Sequence, residues 1–132
     1  MKVSFISNTI TPAAWAADGR GKDQLLPFAG IAVAAEFTPL ADGRVFVPAG
    51  TLVGRTFAER TAGTGFGPGD PAADDELFLT AFDCYDALQN PELTFYRPGK
   101  VVKQNFLPDW ATLAAGVQTK IQELYVCIEG VA

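Results

Sequence analysis

With 132 residues, 48% of them hydrophobic, the chain has the length and apolar content of one folded domain, which excludes wholesale disorder and any need for a second core. Its 15 acidic and 10 basic residues give a formal charge of −5 with no Lys/Arg run, so phosphate backbones repel it and no nucleic-acid partner is expected. No apolar stretch reaches the length that spans a bilayer, so no membrane partner is expected either.

The N-terminal stretch is the least regular. Lys2–Ser7 is weakly strand-like, with Val3 and Phe5 on one side. Ser4, Ser7, Asn8, Thr9 and Thr11 interrupt it too early for a secretory leader, so the chain is expected to stay in the compartment that makes it. An Ala-rich patch surrounds Trp15, and Asp18–Lys22 reads as a polar link. Its Gly19 and Gly21 do not make a phosphate loop, because Lys22 is followed by Asp23 instead of Ser or Thr. Phe28–Thr38 places Ile31, Val33, Ala35 and Phe37 at a spacing of two and predicts a strand.

Asp42-Gly43 is a turn signal, and Val45 and Val47 alternate with Arg44 and Phe46 as on a strand. Pro48-Ala49-Gly50 makes a corner, and Thr51-Leu52-Val53 resumes the sheet until Gly54. Thr56–Arg60 is expected to continue as a strand with Phe57 inward, followed by a long polar loop over Thr61–Asp75. The loop's Asp70, Asp74, Asp75 and Glu76 lack the alternate spacing of a calcium loop and read as solvated acids. Glu76–Ala87 is apolar on both sides and predicts a central strand. Turns at Gln89–Glu92 and Arg97–Lys100 flank the strand Leu93–Tyr96, and Val101–Gln104 follows as another. Asp109 reads as an N-cap for a helix of about four turns carrying Trp110, Leu113, Val117, Ile121 and Leu124 on one face. Gly116 inside it suggests close packing, and Leu124–Ile128 reads as a last strand. The fold class is therefore mainly β, α+β, a small barrel or sandwich with one amphipathic helix near the C-terminus.

Catalytic chemistry has little to work with. The chain has no histidine, and its two serines, Ser4 and Ser7, lie in the least regular part. Cys84 and Cys127 fall in predicted strands, where thiols are packing groups, and a zinc site would have to rely on isolated thiols and carboxylates. Asp83 and Asp86 invite a paired-carboxylate reading but are better explained as strand-end and turn residues. No enzyme activity, catalytic residue, metal or cofactor is expected. The strand-capable N-terminus instead suits addition to another protein's sheet edge.

From Phe37 onward, the order of segments resembles the head decoration (capsid cement) proteins of tailed phages, the lambda-type family. The resemblance lies in Asp42-Gly43 with Val47–Gly54, in Leu79–Ala87 with its closing acidic pair, and in Thr94–Val102 with its Arg-Pro-Gly turn. It continues through Asn105-Phe106-Leu107 into the terminal helix and through Leu124–Ile128 into the closing strand. The Thr61–Asp75 loop and the N-terminal segment depart from the family pattern. The resemblance implies a tulip-like decoration fold over residues 28–132, preceded by an extended arm over residues 1–27. It implies a non-enzymatic homotrimer, made in the host cytoplasm, that sits on the outer capsid surface of the virion and clamps neighbouring copies of the major capsid protein. The arm residues Val3, Phe5, Ile6, Trp15, Leu25 and Leu26 are the expected capsid contacts. The alternatives are a small β-barrel ligand-binding or accessory module, or another virion adaptor.

Overall fold

The computed structural model describes residues 14–131. They form an α+β domain built on a five-stranded sheet of order β1-β5-β4-β2-β3, all of whose neighbours are antiparallel. The strands are β1 (Leu25–Ile31), β2 (Leu52–Arg55), β3 (Gly67–Pro68), β4 (Glu76–Thr80) and β5 (Glu92–Tyr96). A separate parallel pair joins β6 (Val101–Lys103) to β7 (Val126–Ile128). Two helices complete the domain, α1 (Phe57–Ala62) and α2 (Ala115–Leu124).

The sheet is buried on both faces, and the alternation of its strands sorts the core. Leu52, Leu77, Leu79 and Tyr96 pack on one side with Trp15, Val102, Ile121 and Tyr125. Val53, Leu93 and Phe95 pack on the other with Val45, Val47, Phe66 and Cys84. Adjacent residues thus enter different clusters, as a period of two requires. The expected central strand is present as β4, but it ends at Thr80, and the chain beyond it leaves the sheet. The two edges of the sheet are also tied to each other by a bridge between Ala32 and Phe66, whose amide donates to the Ile31 carbonyl at 2.7 Å. No closed barrel is formed among the described residues.

Several local expectations are corrected. The strand expected over Phe28–Thr38 lies earlier, at Leu25–Ile31, and it turns its small side inward: Gly30 and Ala32 are buried while Ile31 is exposed. The reason is volume, since the rings of Phe66 and Phe95 occupy the space that a Cβ on Gly30 would need. Thr56–Arg60 is not a strand. Thr56 and Glu59 form a reciprocal capping box that starts α1, and Phe57 faces solvent beneath the Arg60 guanidinium. The Thr61–Asp75 loop contains the buried Phe66 and the short strand β3.

The C-terminal helix is shorter than its apolar stripe. Asp109 adopts φ 54° and its side chain caps nothing; its carbonyl accepts from Thr112 and Leu113 and closes a single 3-10 turn, Trp110–Thr112. Leu113 is extended, and α2 begins after it. Trp110, Leu113, Val117, Ile121 and Leu124 still meet one core cluster, so the stripe survives a break in the backbone. Gly116 has open space around it, not a close neighbour.

Candidate functional site

Of the expected arm contacts, Val3, Phe5 and Ile6 lie outside the described residues. Of the other three, Trp15 is buried in the domain, and Leu25 and Leu26 are half-buried in it. Trp15 is 3% exposed and meets Tyr96 edge-to-face at 5.0 Å, while its carbonyl accepts from the Lys103 amide. Leu25 pairs with Tyr96 in β1, and Leu26 packs against the Phe95 cluster. An arm ending at residue 27 is therefore corrected: the folded body includes Trp15, because its indole fills the core beside Tyr96.

The structure offers a different surface. After β4 the chain Ala81–Leu88 runs antiparallel to Val45–Ala49, bridged at Val47 and Cys84 by two amide–carbonyl bonds of 2.9 and 2.8 Å. The Ala87 amide donates to the Val45 carbonyl at 2.8 Å. The two carboxylates that suggested acid–base chemistry complete this ribbon. Asp83 accepts from the Ala49 amide at 2.7 Å, and one oxygen of Asp86 accepts from Val45 and Leu88 at 3.1 Å each. They satisfy main-chain donors and hold the ribbon rigid.

Ala81, Cys84 and Ala87 point into the core, leaving Phe82, Tyr85 and Leu88 at 41, 52 and 59% exposure. Phe46, on the neighbouring segment, leans against Tyr85 with ring centroids 5.9 Å apart. At the other end the Arg20 guanidinium lies 4.7 Å over the Phe82 ring and donates to the Ala81 carbonyl at 2.9 Å. The result is a ridge of aromatic, aliphatic and arginine side chains, of which the aromatic and arginine types are enriched at protein interfaces. Sequence reasoning missed it by extending the strand alternation of Glu76–Thr80 through Ala87. The available signal was the three-residue spacing of the small residues Ala81, Cys84 and Ala87.

Neither thiol is activated. Burial pushes the Cys84 thiol up, with the nearby Asp86 charge adding to it, and burial does the same to Cys127. Both thiols are free in the structure. A shallow groove of about 320 Å³ lies between the Pro48–Gly50 corner and α2, walled by Leu52, Pro68, Pro108, Leu113 and Val117. Among the described residues no helix is long and apolar enough to cross a membrane. Comparison with family models, curated proteins and solved structures finds no match to this chain.

Proposed function

We propose that this chain is a structural virion protein, a head decoration protein that binds the outer surface of a phage capsid and stabilises it by clamping neighbouring major capsid subunits. The observation that carries the reading is the Phe82–Tyr85–Leu88 ridge, an exposed apolar surface on a backbone already ordered by main-chain hydrogen bonds, which lowers the ordering cost of docking. The ordered resemblance of segments from Phe37 to the C-terminus supplies the class of partner. The sheet, with its edges tied at Ala32 and Phe66, would form the decoration body, and the homotrimer is what the resemblance implies. An acidic surface of net charge −5 suits the outside of a shell, away from the genome.

The test is to mix purified protein with expanded, undecorated capsids and image them. Added density at the three-fold positions is expected, and its loss in a Phe82→Ala, Tyr85→Ala variant that still folds. Bare shells would refute the proposal. The arm is tested by removing residues 1–13; a cut through Leu25 would also remove Trp15 from the core. A second reading, a small ligand-binding module, is favoured by the apolar groove beside α2. Native mass spectrometry separates the two: a bare trimer supports decoration, and a monomer carrying a small molecule supports the module.

A further inference from the structure

The cations of this acidic chain are unevenly used. Arg44, Arg55, Arg60 and Lys120 form ion pairs with Asp42, Glu76 or Glu123. Lys22, Arg97 and Lys100 form none among the described residues, yet all three line one cleft of about 420 Å³ with a single carboxylate, Asp23. Its apolar wall is Leu25, Leu26 and Pro27.

Rigid turns hold the charges together. Arg97 is pinned twice, its amide to the Gln24 carbonyl at 2.8 Å and its Nη2 to the Leu25 carbonyl at 3.0 Å. The turn that follows has Gly99 at φ 89° and brings the Lys100 amide back to the Arg97 carbonyl. Lys22 sits at the start of a 3-10 turn whose carbonyl accepts from the Leu25 amide. Three cations against one carboxylate leave the cleft with an excess of positive charge, which an anionic partner complements.

We propose that this cleft binds an acidic peptide segment of another protein, with a carboxylate between Lys22, Arg97 and Lys100 and an apolar neighbour against Leu25 and Leu26. The volume lies in the range of about 300–1,000 Å³ typical of small-ligand pockets, enough for one or two side chains of a peptide. The amides of Arg97, Gly99 and Lys100 are all spent on carbonyls within the chain, so that side of the cleft offers a free phosphate no N–H groups. Pro27 has no amide to donate, which disfavours recognition by strand addition at this point and leaves side chains to do the reading. Three cations on a chain of net charge −5 do not make a track for nucleic acid. The inference does not depend on the capsid reading.

The experiment is NMR titration of the full chain with acetyl-Leu-Glu-Glu-amide, with acetyl-Leu-Gln-Gln-amide and inorganic phosphate as controls. Saturable shifts confined to the amides of Lys22–Leu26 and Arg97–Lys100 are expected with the Glu peptide alone, weakening with salt. A Lys22→Glu, Lys100→Glu variant, which removes no hydrogen bond of the fold, is expected to bind at least about tenfold more weakly. Scattered shifts, unchanged affinity in that variant, or phosphate binding as tightly as the peptide would each overturn the proposal.

Discussion

Replacing Tyr125 by Phe removes one oxygen from the centre of the fold. Tyr125 follows α2 and is buried against Tyr96, with ring centroids 5.7 Å apart. Its hydroxyl donates to the Tyr96 carbonyl at 2.7 Å and accepts from the Leu79 amide at 2.9 Å. Leu79 and Tyr96 are register partners of β4 and β5, so the hydroxyl stands in the ladder where a direct bond would otherwise close. In Tyr125→Phe the ring still packs, but two buried main-chain groups lose their partner, each at about 1–3 kcal/mol. Partial relaxation of the strands leaves an expected loss of about 2–4 kcal/mol, a large part of the roughly 5–15 kcal/mol available to a domain. Urea unfolding is expected to show a midpoint lower by about 1–2 M at unchanged slope. The pH dependence carries a second signature. Burial raises the Tyr125 phenol far above its ordinary range, so the folded state favours the neutral form. That contribution is intact below about pH 10 and is lost as pH rises beyond it, because the unfolded phenol ionises first. The alkaline decline is therefore expected to be shallower in Tyr125→Phe. A variant within about 0.5 kcal/mol of the parent, with the Leu79 amide still protected from exchange, would show that the strands bond directly and refute the reasoning.

Gly30→Ala places a Cβ inside van der Waals contact of Phe95 and 2.8 Å from the Phe66 ring, so calorimetry is expected to find a loss of about 1–3 kcal/mol; a neutral result would mean that the cluster has slack. Gly116→Ala does the reverse: with nothing within 4 Å in a helix, it is expected to gain up to about 1 kcal/mol in denaturant unfolding, and a loss would contradict the open space. Burial raises the Asp74 carboxyl, and the charges of Glu59, Asp70 and Asp75 add to it. The protonated form then favours folding at low pH, and this contribution is lost as pH rises through the raised value. Asp74→Asn is expected to exceed the parent in stability at pH 7 and to match it below about pH 4; equal stability at pH 7 would refute the assignment.

The expectations that hold are local ones. Val45 and Val47 do point inward from Arg44 and Phe46, the Arg97–Lys100 turn lies where its Pro and Gly place it, and Leu77–Leu79 does form the middle of the sheet. Each rests on a short-range rule, alternation or turn chemistry, that needs no distant partner. The Thr56–Glu59 capping box is as local a signal, but reading Thr56–Arg60 as a continuing strand misses the helix that the box starts. The misplaced elements needed volume from elsewhere in the chain. Only Phe66 and Phe95, 36 and 65 residues away, decide that Gly30 faces inward and Ile31 outward. Trp15 looked like part of an arm because nothing nearby in sequence shows the pocket beside Tyr96 that it fills. Asp83 and Asp86 read from the sequence as strand-end and turn residues, but only the fold shows that the amides they accept from belong to Ala49 and Val45. The ridge of Phe82, Tyr85 and Leu88 exists because the chain leaves the sheet after Thr80 to pair with Val47, and that departure depends on contacts more than thirty residues apart.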